Sequence, residues 1–104
     1  MAQVVWTLEA LADLESTMDY IGRDSTVYAN ALSVRAFELT DHLENFPELG
    51  RVMPEFANDR IRDLILQNYR IVYHITVREI RIIAFIHGAR DLGRITETRG
   101  WPPE

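Results

Sequence analysis

This sequence of 104 residues lacks several features that would indicate particular kinds of chemistry. It contains no cysteine, which excludes disulfide bonds and thiolate sites. No apolar run approaches the roughly 18 residues that a membrane-spanning helix needs, so we expect no contact with a membrane. The N-terminal residues lack the basic flank and apolar core of a secretion signal, which predicts a cytoplasmic location. No set of histidines and carboxylates has the spacing of metal ligands, and we expect no metal and no cofactor.

Lysine is also absent, and all 11 basic residues are arginine. The formal net charge is −5, so the composition does not indicate a general affinity for nucleic acid. Arginine suits fork-like recognition of phosphate and carboxylate, although a GC-rich genome produces the same bias. The positions of the arginines therefore matter more than their number. The length and the 47% apolar content are those of one soluble domain, which we place at residues 1–104.

The strongest pattern is a pair of alternating runs, residues 69–77 and 80–87, in which every second residue is apolar. The polar pair at 78–79 between them predicts a hairpin with a two-residue turn. In that register Arg70 lies opposite His87. One face of the hairpin is then apolar and buried. The other face carries Arg70, His74, Arg81 and His87.

The remaining pattern predicts one strand, two helices and another strand before the hairpin. Residues 3–6 form the first strand, and two segments with apolar residues at three- and four-residue spacing form helices that end near Gly22 and Pro47. A link of only about three residues makes the helices an antiparallel hairpin. Residues 60–66 form the next strand. The order β-α-α-β-β-β predicts an α+β fold, with the helical hairpin packed on one face of a small, mainly antiparallel sheet.

Two expectations concern the rest of the surface. Nothing in the pattern covers the second face of the sheet, so we expect that face to be open to solvent. After Asp91 the apolar pattern fades, which predicts a frayed C-terminal tail at about 92–104, although Trp101 could dock on the body.

Several short motifs follow one another in the order of a known family. The most specific set is FP-x-x-GR at 46–51, YRIVY at 69–73 and HGARD at 87–91. With this set the chain resembles the ParE/RelE superfamily, the toxins of type II toxin–antitoxin modules, also called plasmid stabilisation proteins. The resemblance runs from about Val4 to Asp91. The second and third motifs are more similar to the ParE branch. Further matching residues are Trp6, Ala10, Asp13, Leu14, Tyr20, Ile21, Pro54, Glu55, Arg62 and Leu64.

The resemblance implies the same β-α-α-β-β-β fold and one of two activities. ParE-like toxins poison DNA gyrase and block replication, whereas RelE-like toxins cut messenger RNA, usually on the ribosome. Both kinds are silenced by a cognate antitoxin, which would be ParD-like here. RNA-cutting members often carry several lysines and a tyrosine or histidine near the C-terminus. This chain has no lysine, and no tyrosine follows Tyr73.

We therefore expect a toxin that inhibits DNA gyrase by binding and is not itself an enzyme. We expect no direct binding of nucleic acid. Two alternatives stay open. One is a RelE-like ribosome-dependent endoribonuclease, and the other is a non-toxic remnant that only binds its antitoxin.

An endoribonuclease would need an acid, a base and cations near phosphorus. His87 could be the acid or base at neutral pH, and Arg70 and Arg90 could supply charge. A structural role is the competing interpretation, in which Asp91 pairs with Arg90 and Glu55 pairs with Arg51 or Arg62. The candidate residues are His87, Arg90, Arg70, Arg62 and Arg51.

The antitoxin is expected to lie in the groove between the helical hairpin and the sheet edge. Short helices on a small sheet leave apolar residues at the rim partly covered, and such patches are typical of binding sites. The residues predicted to contact the antitoxin are Tyr28, Leu32 and Phe46.

Overall fold

The chain forms one strand, a helical hairpin, four more strands and a last helix. A computed structural model describes residues 2–88 and 91–103. Its elements are β1 (Gln3–Trp6), α1 (Leu8–Gly22), α2 (Thr26–Asp41), a 3₁₀ turn (His42–Glu44), β2 (Arg51–Val52), β3 (Ile61–Leu66), β4 (Tyr69–Ile75), β5 (Glu79–His87) and α3 (Leu92–Arg99). Within the described part of the chain, none of the helices has the length and apolar character needed to cross a membrane.

The five strands form one mixed sheet in the order β1-β5-β4-β3-β2. β1 is parallel to β5, and every other neighbouring pair is antiparallel. The predicted α+β fold with a mainly antiparallel sheet is therefore confirmed. β2 contributes only two residues, which pair with Asp63 and Arg62 of β3.

α1 and α2 form the predicted hairpin and cover one side of the sheet, here called the first face. Thr7 caps α1 by accepting a hydrogen bond from the Ala10 amide at 3.2 Å, and Ser25 caps α2 by accepting one from the Tyr28 amide at 3.0 Å. The core between the helices and the first face consists of Ala10, Leu14, Leu32, Ala36, Leu43, Leu64, Leu66, Ile71, Tyr73, Ile80, Ile82 and Phe85.

The β4–β5 hairpin has a longer turn than the sequence predicts. β4 ends at Ile75 and β5 begins at Glu79, so three residues connect them. The backbone N–H and the hydroxyl of Thr76 both donate to the Glu79 carbonyl, at 2.9 and 2.7 Å. The first pair is therefore Ile75 with Ile80. The predicted two-residue turn is wrong because the threonine side chain helps to close a wider loop.

A β-bulge shifts the register again in the middle of the hairpin. Tyr73 pairs with Ile82, but the preceding Val72 pairs with Ala84, so Ile83 is an extra residue in β5. From Ala84 to His87, each residue of β5 therefore points to the opposite face from the one that regular alternation predicts.

Arg70 and His87 are separated by these two irregularities. Arg70 pairs with Ile86, and His87 pairs with Tyr69. Cross-strand partners share a face, so His87 lies with Tyr69 on the first face while Arg70 lies on the second. The predicted pairing of Arg70 with His87 is therefore wrong.

The second face is closed rather than open. Residues 92–99, predicted to be a frayed tail, form α3 and bury Leu92 and Ile95 against this face. Trp101 docks beside them, with its ring 6.1 Å from that of Phe56. Two apolar residues three positions apart are too weak a pattern to predict a helix, but they suffice to cover a small sheet. The second core consists of Met53, Ile61, Val72, Ile83, Ala84, Ile86, Leu92 and Ile95.

Arg99 fastens α3 to α1 around the edge of the sheet. Its guanidinium donates to the Asp13 carboxylate at 2.6 and 3.1 Å and to the Ile83 carbonyl at 3.0 Å. The same carboxylate accepts the Phe85 amide at 3.1 Å. This Arg99–Asp13 clasp occupies the edge of β5 beyond the end of β1 at Trp6, where backbone groups would otherwise lack partners.

Candidate functional site

Four charged residues on the second face form one ion-pair network, here called the arginine–carboxylate cluster: Arg51, Glu55, Asp63 and Arg70. Arg70 donates to Asp63 at 2.6 Å and makes two bonds of 2.9 Å to Glu55. Arg51 donates to the other oxygen of Asp63 at 2.8 Å. Strand β3 supplies Asp63 and strand β4 supplies Arg70, whereas Glu55 comes from the loop between β2 and β3.

The central pair of the cluster, Arg70 and Asp63, is withdrawn from solvent. The Asp63 side chain is 0% exposed and that of Arg70 is 6% exposed. Hydrogen bonding to Arg70 lowers the pKa of Glu55 to about 2. The bond to Glu55, reinforced by Asp63, raises the pKa of Arg70 against the opposing effect of burial. Each guanidinium of the cluster therefore faces a carboxylate within the cluster.

The other arginines predicted for the site also have structural partners. Arg62 donates to the backbone carbonyls of Asp59 at 2.8 Å and Gly50 at 3.0 Å. The sequence predicts that Glu55 pairs with Arg51 or Arg62, but its carboxylate instead binds Arg70. Arg51 is the most accessible member of the cluster, with 54% of its side chain exposed.

His87 lies at the end of β5 beside Tyr69, with their rings edge to face at 5.2 Å. Its backbone amide donates to the Asp91 carboxylate at 3.3 Å. Arg90, which the sequence predicts as a source of positive charge in an endoribonuclease site, lies outside the described residues, as does its expected pairing with Asp91. His87 and Arg70 both border a hollow of about 620 Å³ at the end of the sheet, although their strands present them to opposite faces.

A larger groove of about 660 Å³ lies on the other side of Tyr69 and His87. We call it the tyrosine groove, because three tyrosines from α1, α2 and β4 line it. Tyr20 and Tyr28 are 65% and 44% exposed. Burial raises the pKa of the Tyr69 hydroxyl. The lining residues are Ser16, Thr17, Tyr20, Ile21, Asp24, Ser25, Tyr28, Tyr69 and His87.

The residues predicted to bind an antitoxin lie in two separate places. Tyr28 and Leu32 line a groove of about 310 Å³ between α2 and the end of β3, here called the α2–β3 groove. The Tyr28 hydroxyl donates to the side chain of Gln67 at its rim. Leu32 is only 2% exposed and belongs mainly to the core, whereas Phe46 lies beyond the other end of α2 and is 61% exposed.

Sequence reasoning missed Asp63 and the second role of Tyr73. An aspartate inside an apolar strand is a usable signal, because a buried charge needs a partner. Tyr73 lies in the apolar row of the alternating run 69–77, and it is fully buried. Its hydroxyl also accepts the Gly50 amide at 2.9 Å and donates to the Pro47 carbonyl at 2.7 Å. Nothing in the alternation of β4 indicates that second function.

The cluster and the two grooves present different groups to solvent. The cluster neutralises its own charges, while the two grooves present aromatic and aliphatic surface to solvent. Within residues 2–88 and 91–103, no group of three or more histidines and carboxylates is placed to hold a metal ion.

Comparisons with known proteins agree with the fold. A family model described as the ParE toxin of the type II toxin–antitoxin system parDE matches residues 4–92. Toxin RelE2 of Caulobacter vibrioides is 38% identical over 91 residues, which are 86% of this chain and 99% of that protein. A chain in a solved structure, described as the chromosomal ParDE TA system from P. aeruginosa, superimposes with a TM-score of 0.70. That match is 22% identical and covers 85% of this chain and 97% of the other, so it supports the fold alone.

Proposed function

The chain belongs to the ParE toxin family of type II toxin–antitoxin systems, and we propose that it arrests growth by binding DNA gyrase. A toxin of this kind needs a surface that recognises its target and no catalytic residues of its own. The tyrosine groove, the α2–β3 groove and the exposed apolar side chains of Phe46 and Leu49 supply such surface. These exposed surfaces are available to a protein partner.

The observation that carries the proposal is the state of Arg70. Its guanidinium is almost fully buried and makes three hydrogen bonds to two carboxylates, Asp63 and Glu55. A guanidinium in this position offers little net charge to a phosphate. The net charge of −5 opposes binding to ribosomal RNA as well. The strands present His87 and Arg70 to opposite faces of the sheet.

We further propose that a ParD-like antitoxin, made in the same cytoplasm, silences the toxin by occupying the α2–β3 groove. β2 pairs with only two residues of β3, so the outer edge of β3 beyond Asp63 is not covered by β2. Ile65 on that edge is 54% exposed. Tyr28 and Leu32 form the opposite wall of the groove. An apolar antitoxin segment would bury these residues together.

The antitoxin site can be tested with one pair of charge substitutions. Ile65→Glu is expected to weaken antitoxin binding by roughly tenfold or more, because it places a charge in an apolar contact. Val77→Glu is the matched control, since Val77 is 94% exposed in the β4–β5 turn. Equal binding by both variants, with unchanged hydrogen exchange in α1 and α2 on adding antitoxin, would contradict this site.

The gyrase proposal is tested with purified components. Toxin added to bacterial DNA gyrase and relaxed plasmid is expected to inhibit supercoiling and to trap cleaved DNA. Addition of the antitoxin in equal amount should restore supercoiling. If the toxin leaves supercoiling unchanged and traps no cleaved DNA, the proposal is wrong.

An endoribonuclease is the second candidate. It is favoured by the edge-to-face contact of the half-buried rings of His87 and Tyr69, which both line the two neighbouring hollows, and by the name RelE2 of the relative. His87→Ala and Arg90→Ala would then abolish growth arrest and messenger RNA cleavage, while His42→Ala on the helical side should have no effect. Growth arrest that survives both substitutions would eliminate this candidate. Harmless expression of the unaltered chain without antitoxin would favour a non-toxic remnant instead.

A further inference from the structure

The loop at residues 45–49 combines a fixed backbone with exposed apolar side chains. Phe46 is 61% exposed and Leu49 is 51% exposed. Together with Pro47 they border a shallow hollow of about 390 Å³. The loop follows the C-terminal end of α2, whereas Tyr28 lies near the start of this helix, about 20 Å along its axis from Asp41.

The backbone of this loop is held at several points. The Leu49 amide donates to the Phe46 carbonyl at 3.0 Å, which closes a turn. The buried Tyr73 hydroxyl donates to the Pro47 carbonyl at 2.7 Å and accepts the Gly50 amide at 2.9 Å. One core side chain therefore fixes the backbone at Pro47, directly after Phe46, and at Gly50, directly after Leu49.

Close packing at Gly50 fixes the loop further. A Cβ atom at this position would lie 2.5 Å from the Asp63 carbonyl oxygen and 2.8 Å from the Tyr73 ring. Arg62 donates to the Gly50 carbonyl at 3.0 Å. The loop is therefore attached to both β3 and β4. A contact surface that is rigid before binding loses less conformational entropy when it binds.

The charges around the loop are negative. Glu44 and Glu48 are both exposed, and 80% of the Glu48 side chain is accessible. The cation paired with Glu48 is Arg62, at 3.9 Å and largely buried. The exposed apolar pair thus has an acidic rim, which a basic rim on a partner would complement.

We propose that the 45–49 loop docks the toxin on its target protein, with Phe46 and Leu49 entering an apolar cleft edged by basic side chains. The identity of the target rests on the proposed function, which names gyrase. The separation from the α2–β3 groove assigns the loop to the target and the groove to the antitoxin. This assignment moves Phe46 out of the set predicted to bind antitoxin.

The test compares two double variants by their affinity for purified DNA gyrase, their affinity for antitoxin and their growth arrest. Phe46→Ala with Leu49→Ala removes the proposed contact. Val27→Ala with Val77→Ala removes two apolar side chains that are 78% and 94% exposed elsewhere. The loop variant is expected to bind gyrase roughly tenfold or more weakly and to lose growth arrest, with antitoxin affinity unchanged within about twofold. The control variant should match the unaltered toxin in all three measurements.

A third variant tests the rigidity of the loop. Tyr73→Phe removes the hydroxyl that holds Pro47 and Gly50 but leaves the exposed side chains in place. It should bind gyrase about threefold to tenfold more weakly and speed amide exchange at Leu49. Glu48→Gln should weaken binding more at low salt than at high salt, and Glu15→Gln on the exposed side of α1 should not.

The outcomes separate this proposal from the proposed function. If the unaltered toxin inhibits gyrase and the loop variant inhibits it equally, the loop proposal is wrong and the gyrase proposal stands. If the unaltered toxin arrests growth without binding gyrase, the gyrase proposal is wrong, and loss of arrest in the loop variant alone supports the loop. Equal loss of antitoxin binding would assign the loop to the antitoxin and overturn the proposal. A toxin that neither arrests growth nor binds gyrase contradicts both.

Discussion

The arginine–carboxylate cluster and the tyrosine groove meet at the same end of the sheet but offer different groups to a ligand. In the cluster each guanidinium binds a carboxylate, and the central pair of Arg70 and Asp63 is buried. In the groove, Tyr20 and Tyr28 keep large exposed rings. The cluster therefore stabilises the fold, whereas the groove is available for recognition. Arginines on a sheet therefore indicate a nucleic-acid site only when carboxylates of the same protein do not already bind them.

The largest effect is expected from breaking the cluster at Asp63. Asp63→Ala leaves Arg70 buried with half of its partners and should lower the free energy of unfolding by about 3 to 5 kcal/mol. Urea unfolding followed by circular dichroism measures this. The double variant Asp63→Leu with Arg70→Met removes both buried charges and should recover most of the loss. A single variant as stable as the unaltered chain would show that the cluster is not structural.

The second prediction concerns the cover over the second face. Arg99→Met breaks the Arg99–Asp13 clasp and leaves the Ile83 carbonyl without its donor. We expect a loss of roughly 2 kcal/mol of unfolding free energy and faster amide exchange in α3. Arg94→Met, on the exposed side of the same helix, is the control. Equal exchange rates in the two variants would mean that the clasp does not hold α3.

The third prediction is a dependence of stability on acid. The pKa of Glu55 is lowered to about 2 in the folded chain, against an ordinary value of 4.5. Its contribution is therefore complete above about pH 4.5 and is lost as the pH falls toward 2. Glu55→Gln should be less stable than the unaltered chain at pH 7 and should show a shallower loss of stability below pH 4.5. Parallel pH profiles of thermal unfolding would contradict the ion pair with Arg70.

The smallest effect is expected in the tyrosine groove. Tyr28→Phe removes one exposed hydrogen bond to Gln67 and should change the unfolding free energy by less than about 0.5 kcal/mol. Tyr28→Ala should be nearly as stable but should bind antitoxin more weakly, because the ring forms the wall of the α2–β3 groove. Isothermal titration with purified antitoxin separates the two variants. A large loss of stability from either would place Tyr28 with the cluster rather than with the recognition surface.

Much of the fold is predictable from local pattern, and the site is much less so. Helix periodicity and strand alternation predict the order β-α-α-β-β-β, because both patterns are set by residues that are close together in the sequence. The partner of Arg70 depends instead on strand register, which Thr76 changes at the turn and Ile83 changes at the bulge. Each change comes from a single residue that would also fit a regular hairpin with a two-residue turn and no bulge. α3 was missed because Leu92 and Ile95 are too few to show a helical period.

The most direct test of the central claim, that this toxin binds gyrase rather than cutting RNA, is pulse labelling after induction without antitoxin. Incorporation of thymidine and of an amino acid is followed in the same culture. We predict that DNA synthesis stops first while protein synthesis continues. The opposite result would contradict the claim: protein synthesis stops first, with cleavage of messenger RNA, while DNA synthesis continues.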